Sequence, residues 1–220
     1  MRNEFRQPDE QNMRQLLHQH PEDLPGLILR LAWLQGLSRE EIVALKWAQV
    51  DFQERSLFLE DRTVPLEEET AGCLAARFEN GGAVSPYVVI SDKFREPLRP
   101  ESVSRIARNA LTAGGLPQLQ LKDLRRDYFF RQLEQHSGEH IVSGMLCAAF
   151  HCDNVGFHMG ADIVTIDYNA DIRWEQVLEV ERQANRYIWE DHPCRVTFPS
   201  PAEREALPYR SKKALTGTVR

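Results

Sequence analysis

Residues 123–150 read DLRRDYFFRQLEQHSGEHIVSGMLCAAF and form the longest helical candidate of the chain. The stretch has no proline and only two glycines, the two residue types that most often break or weaken a helix. Its apolar residues recur at helical spacing, so we expect one long helix with a continuous buried face. The predicted buried face comprises Tyr128, Phe129, Leu133, Ile141, Met145 and Leu146.

The segment before this helix predicts a helix-rich unit with one small hairpin. Residues 1–23 are polar, and we expect a weakly helical lead-in there. Ser38 and Glu41 have the spacing of a capping box, in which each residue satisfies the backbone N–H of the other at a helix start. Further helices are expected at 24–37, 67–82 and 99–115, a strand at 87–91 (YVVIS), and a hairpin from SLFLE (56–60) and RTVPL (62–66).

After the long helix the pattern changes to strands followed by one more helix. NVGFHMG (154–160) and DIVTIDY (162–168) predict a second antiparallel hairpin. Residues 173–190 have the apolar rhythm of a helix. The predicted fold class is therefore α+β, with a helix-rich first unit joined through the long helix to a second, α/β unit. We expect divisions at 1–23, 24–131 and 132–220.

Composition narrows the class of protein. The 220 residues are 42% hydrophobic and 27% charged, as in ordinary globular proteins with a core. No apolar run is long enough to span a membrane, and the polar start does not resemble a secretory signal, so we expect a cytoplasmic protein. The cysteines Cys73, Cys147, Cys152 and Cys194 lack metal-site or disulfide spacing and predict free thiols.

A net charge of −6 gives the whole chain no attraction to nucleic acid, so binding of that kind requires a local basic surface. One stretch, residues 99–131, is rich in basic residues and carries only three acidic ones, Glu101, Asp123 and Asp127. The basic residues there are Arg99, Arg105, Arg108, Lys122, Arg125, Arg126 and Arg131.

Two histidines of the long helix, His136 and His140, are four residues apart, so their imidazoles should share one face. Zinc accepts imidazole nitrogen but requires three or four protein ligands. The pair therefore predicts either half of a zinc site or two polar histidines without a metal. Glu139 lies about 100° away from their shared face.

Five segments of the second half resemble the freestanding alanyl-tRNA editing proteins and the related editing domain of alanyl- and threonyl-tRNA synthetases. They are QHSGEHIVSG, NVGFHMG, VTIDY, the 173–190 helix and LPYRSKK. The resemblance implies a metal-dependent hydrolase that removes serine or glycine from mischarged alanine tRNA. It implies that His136 and His140 bind zinc, and that Glu139, Gly156, Phe157 and His158 lie at the substrate pocket.

The resemblance also implies two further zinc ligands, from a Cys-x-x-x-His motif after the LPYRSKK segment, and the given sequence contains no such motif. The expected zinc site is therefore incomplete. Local substitutes would have to come from His151, Cys152, His158, His192 or Cys194. A sheet edge near Val219 that lacks the family's following strands predicts a homodimer.

A second resemblance covers residues 24–134. GLSREEIVALKW and LKDLRRDYF resemble the catalytic domain of tyrosine recombinases. That family has an arginine after Gly-Leu, where this chain has Ser38 and then Arg39. Its His-x-x-Arg box corresponds to Lys122 and Arg125 here.

The segment that should carry the nucleophilic tyrosine of that family is absent, and Tyr128 is too close to the box to replace it. The alternative function is therefore a DNA-binding remnant of a recombinase without strand transfer. Its candidate binding residues are Lys122, Arg125 and Arg126.

Overall fold

The computed structural model describes residues 6–81, 84–91, 96–160, 163–193, 195 and 197–206. The fold is α+β, as the sequence predicts. Its helices are α1 (Glu10–Gln19), α2 (Leu24–Trp33), α3 (Arg39–Ala44), α4 (Glu68–Glu79), α5 (Pro100–Ala113), α6 (Leu121–Phe150), α7 (Trp174–Trp189) and α8 (Pro201–Ala206). Its strands are β1 (Val50–Asp51), β2 (Ser56–Phe58), β3 (Thr63–Pro65), β4 (Asn154–Met159) and β5 (Val164–Tyr168).

Both predicted hairpins are confirmed. Strands β2 and β3 pair antiparallel with Leu57 opposite Val64, and β1 adds a third strand on the other side of β2. Strands β4 and β5 form a separate two-stranded antiparallel sheet with Phe157 opposite Ile166. The predicted strand at 87–91 is wrong. Tyr87 and Ile90 each form one isolated bridge, while Val88 and Val89 between them are buried.

The predicted capping box at the start of α3 is confirmed. The Ser38 hydroxyl accepts a hydrogen bond from the Glu41 N–H at 3.2 Å, and the Glu41 carboxylate accepts one from the Ser38 N–H at 2.7 Å. Such a box depends only on residues three positions apart, so it can be predicted without tertiary information.

The expected lead-in contributes to the main core instead. Helix α1 places Met13, Leu16 and Leu17 in the core with less than 2% of each side chain exposed. Arg30 of α2, itself 3% exposed, donates to the carbonyl oxygens of Leu17 and His20 at the end of α1. Three apolar residues on one face, at positions i, i+3 and i+4, were enough to pack this mostly polar helix against the core.

Helix α6 is continuous over its 30 residues, as predicted, but its buried face is not. Near its start Asp127 bonds to Trp33 of α2, and near its end Val142 and Leu146 lie beside Trp174 and Val177 of α7. Between residues 128 and 138 no side chain is buried, and Leu133 is 61% exposed. The predicted continuous apolar face is therefore wrong, because the two ends of α6 pack against different partners and need not present the same face.

None of the helices in the described ranges combines the length and the apolar character that a bilayer crossing requires. The sheet edge predicted near Val219 lies outside the described residues.

Candidate functional site

A groove lies where α3, α5 and the start of α6 meet, with a volume of about 470 Å³. We call it the basic groove, because four of its lining residues are cationic. Two of the three residues predicted to bind nucleic acid, Lys122 and Arg125, line this groove. Arg39 and Arg108 line it as well. Arg126 is exposed on α6 but is not part of the lining. The remaining lining residues are Leu37, Ser38, Glu40, Ser104, Gln120 and Leu121.

Two of the four cations are held by neighbouring groups. Arg125 donates from Nε to the Gly36 carbonyl oxygen at 3.0 Å, and its guanidinium lies 5.1 Å from the centre of the Phe129 ring. Arg39 donates to Glu40 at 2.7 Å. This hydrogen bond raises the pKa of Arg39 and lowers the pKa of Glu40, so both side chains stay charged.

The other two cations, Arg108 and Lys122, are exposed and form no hydrogen bond or ion pair with any residue the structure describes. Their donors are therefore available to an anion in the groove. Arg131, also counted in the basic stretch, is engaged elsewhere. It donates to Asp127 at 3.1 Å and to the Trp33 carbonyl oxygen at 2.5 Å.

Tyr128 does not line the basic groove. Its ring packs against Gly36 so closely that a Cβ added there would lie 2.2 Å from Tyr128 Cδ1. Burial raises the pKa of the Tyr128 hydroxyl, which makes the phenol harder to ionise. These features are those of a packing residue.

The second candidate site is on the exposed middle of α6. The imidazoles of His136 and His140, which we call the histidine pair, converge with 2.9 Å between their Nε2 atoms and 4.6 Å between ring centres. At this distance one Nε2–H donates a hydrogen bond and the other Nε2 accepts it. The spacing of four residues on one helix is sufficient to produce this contact.

Glu139 is buried, with 4% of the residue exposed, and joins α6 to the second hairpin. Its Oε1 accepts hydrogen bonds from Ser143 at 2.6 Å and from Asn154 at 2.8 Å. Its Oε2 lies 3.4 Å from His140 Nδ1. Ser143 in turn contacts the Tyr168 hydroxyl at 2.8 Å, and burial raises the pKa of that hydroxyl. A buried carboxylate thus lies beside one imidazole of the histidine pair.

The predicted pocket residues of β4 are only partly brought together with the pair. The Phe157 ring centre lies 6.1 Å from that of His136. Alternation along the strand places His158 on the opposite face of the hairpin from Phe157. Gly156 is opposite Asp167, and a Cβ added there would lie 2.4 Å from the Asp167 carboxylate. An added Cβ at 156 would therefore require the Asp167 side chain to shift.

The histidine pair presents two nitrogen atoms, fewer than the three or four protein ligands that zinc requires. In the ranges described above, no three His, Cys, Asp or Glu side chains are grouped to hold a metal. Of the substitutes considered, His192 stacks on Tyr187 at 4.2 Å and contacts Glu190 at 3.0 Å. Cys152 is buried beside the Leu146 carbonyl, and Cys194 lies outside the described residues. The described residues do not form a complete zinc site.

Part of the chain is similar in sequence to a known protein. The chain is 27% identical over 67 residues to the alanyl-tRNA editing protein AlaX-L of Pyrococcus horikoshii. The match covers 30% of this chain and 17% of that protein. No family model matches the chain.

The fold resembles that of the XerA recombinase, with a TM-score of 0.54 at 16% sequence identity. The alignment covers 89% of this chain and 66% of the recombinase, so the chain spans less than two thirds of either protein. The integrase of mycobacterium phage Brujita aligns with a TM-score of 0.47 and 19% identity over 66% of this chain and 47% of that one.

The alignment with the XerA recombinase covers 89% of the chain, so it includes residues before and after position 131, where the sequence predicts a division. The chain is therefore similar in fold to a tyrosine recombinase, and a shorter part of it is similar in sequence to an alanyl-tRNA editing protein.

Proposed function

We propose that this chain binds DNA through the basic groove and does not carry out strand transfer. The observation that carries the proposal is the convergence of Arg39, Arg108, Lys122 and Arg125 on one groove in a chain of net charge −6. Such a local basic surface gives the electrostatic attraction for phosphate that the chain as a whole lacks.

The groove also has the two kinds of cation that phosphate recognition uses. Arg125 is oriented by the Gly36 carbonyl, and an oriented guanidinium can bind phosphate with two parallel hydrogen bonds. Arg108 and Lys122 add exposed charges that contact the backbone without reading its sequence.

Two features of the chain argue against strand transfer. Serine stands at position 38, where recombinases have arginine, and Lys122 replaces the histidine of the box. In addition, Tyr128 packs against Gly36 and is not part of the groove lining.

The test is the salt dependence of binding to a labelled DNA duplex, with charge reversal in the groove. The double variant Arg108→Glu, Lys122→Glu should reduce the slope of log affinity against log salt by roughly 2, because two phosphate contacts are lost. The matched control reverses two exposed arginines at α7, Arg173 and Arg186, and should leave the slope unchanged. Equal losses in the two double variants, or no salt dependence in the unaltered chain, would contradict the proposal.

We also propose, as a second candidate, that the histidine pair is part of a zinc site in a hydrolase acting on mischarged alanine tRNA. The convergent imidazoles, the Glu139 carboxylate behind them and the 67-residue match to an editing protein support this candidate. Bound zinc would supply a Lewis acid for the ester carbonyl. Because the pair gives only two ligands, the remaining ones would have to come from residues outside the described ranges or from water.

Titration of the whole chain with zinc, with the binding heat measured by calorimetry, tests this candidate separately from DNA binding. One zinc per chain, lost in His136→Ala and retained in the exposed-histidine control His18→Ala, would support it. Hydrolysis of serine-charged alanine tRNA that depends on the same histidines would extend it to catalysis. Equal zinc uptake by His136→Ala and the unaltered chain would rule it out.

We propose that the two resemblances in sequence meet inside α6, near residues 131 and 132. The exposed middle of this helix separates the part that packs on α2 from the part that packs on α7, and this supports the division. The cytoplasmic location and the homodimer remain predictions.

A further inference from the structure

The end of α6 brings two thiols together. His151 caps the helix in the left-handed conformation, with φ of 51°, and reverses the chain direction. As a result, the Cys152 sulfur lies 3.7 Å from the carbonyl oxygen of Leu146. That carbonyl belongs to the peptide bond between Leu146 and Cys147, so Cys152 Sγ is placed beside the backbone of Cys147. The Cys147 thiol also lies near enough to raise the pKa of the Cys152 thiol, and both thiols are free.

We propose that Cys147 and Cys152 form a redox modification site. A small disulfide such as oxidised glutathione oxidises the two thiols, and the product is a reversible intramolecular disulfide between them. The Cys147 thiolate attacks one sulfur of glutathione disulfide, which breaks that S–S bond and releases one glutathione thiolate. The Cys152 thiolate then attacks the Cys147 sulfur and displaces the second glutathione. In total the two cysteines lose two protons and two electrons, which the two glutathione molecules gain.

The exposure of the two thiols sets the order of these steps. Cys147 is half-buried, so a small disulfide can reach it, whereas Cys152 is only 6% exposed. Burial also raises the pKa of the Cys152 thiol, so fewer Cys152 thiolates are present at neutral pH. Cys147 therefore reacts first and Cys152 resolves the mixed disulfide.

The disulfide would join the last turn of α6 to the base of the second hairpin. Next to Cys152, the Asp153 N–H donates to the Asn169 side chain at 2.7 Å, and the Asn169 N–H donates to the Asp153 carbonyl at 3.2 Å. These bonds hold the two strands together at the point where the chain leaves α6. Oxidation would therefore fix the hairpin to the helix that carries Glu139 and the histidine pair.

The experiment treats the folded full chain with oxidised glutathione at mildly alkaline pH, alkylates the remaining thiols, digests with trypsin and measures fragment masses. Cys147 and Cys152 fall in one fragment, 132–173, since no lysine or arginine lies between Arg131 and Arg173. We expect this fragment to lose two hydrogens, to escape alkylation, and to become alkylated after reduction.

Variants then assign the bond. Cys147→Ser and Cys152→Ser should each abolish the loss of two hydrogens, whereas Cys73→Ser, which removes a buried thiol of α4, should leave it intact. Full alkylation of fragment 132–173 after oxidation would overturn the proposal. So would a stable glutathione adduct on Cys147, or a link to fragment 187–195, which carries Cys194. The mass of the unaltered chain decides the question even if a variant fails to fold.

Discussion

The indole Nε1 of Trp33 donates a hydrogen bond of 2.8 Å to the Asp127 carboxylate, and both side chains are buried. The same carboxylate oxygen accepts from Arg131 Nε at 3.1 Å. The guanidinium of Arg131 also lies 5.0 Å from the centre of the Trp33 ring. These three residues connect α2 to the first half of α6, 94 positions apart in the chain at their closest contact.

Asp127→Ala should therefore destabilise the chain by about 2–4 kcal/mol, because it leaves a buried indole N–H without an acceptor and Arg131 without its ion pair. Asp127→Asn keeps an acceptor and should lose less. Urea unfolding, monitored by tryptophan fluorescence, measures the free energy of unfolding of both variants. Glu134→Ala, on the exposed middle of the same helix, is the control and should change stability by less than about 0.5 kcal/mol.

Glu139→Ala should destabilise the second hairpin by about 2–3 kcal/mol, because Ser143 and Asn154 lose their shared acceptor in a buried position. Glu139→Gln keeps an acceptor oxygen and should lose less. Hydrogen exchange of the β4 and β5 amides reports this effect locally. Unchanged exchange in Glu139→Ala would show that the carboxylate does not hold the hairpin.

Two glycine substitutions should have opposite signs. Gly36→Ala should cost more than about 2 kcal/mol, since Gly36 has a φ of +66° and its new Cβ would collide with Tyr128. Gly138→Ala, inside α6 with no atom within 4 Å of the added Cβ, should stabilise by about 0.5–1 kcal/mol. Thermal unfolding of both variants checks the pair, and a loss of stability in Gly138→Ala would contradict the open surroundings of that helix position.

The stability of α3 should fall in acid because of Glu41. Burial alone would raise the pKa of this carboxyl, but hydrogen bonds from Arg62 and Ser38 outweigh burial and lower it. The unfolded chain therefore binds the proton more readily. The contribution of Glu41 is present above the ordinary glutamate pKa and is lost as pH falls through the lowered folded value.

Glu41→Gln keeps the capping box but loses the ion pair with Arg62, so its stability should fall less steeply over that acidic range. Denaturant midpoints measured from neutral pH downward test this. Glu134→Gln, an exposed glutamate on α6, should follow the unaltered chain. Parallel curves for all three proteins would show that Glu41 is not the group responsible.

Two neighbouring cations of α6 should differ in DNA binding. Lys122→Ala should reduce the salt slope by roughly 1, because Lys122 lines the basic groove. Arg126→Ala should leave the slope unchanged, because Arg126 is outside that lining. Fluorescence anisotropy with one labelled duplex over a salt series compares them. A larger reduction of the salt slope in Arg126→Ala than in Lys122→Ala would show that DNA binds on the face of α6 that carries Arg126.

Local features of the fold could be predicted from the sequence because the interacting residues are close in the chain. The Ser38–Glu41 capping box, the two hairpins and the uninterrupted α6 all depend on neighbours within a few positions. The same holds for the histidine pair, whose contact requires only a helix and a spacing of four.

Tertiary packing decided which faces were buried. Helix α1 joined the core through three apolar residues, while Leu133 stayed exposed because α2 and α7 cover opposite ends of α6. It also brought Arg39 and Arg108 from α3 and α5 to Lys122 and Arg125 of α6. Periodicity identifies an apolar face, but burial depends on whether another element lies against that face, and this requires contacts between distant residues.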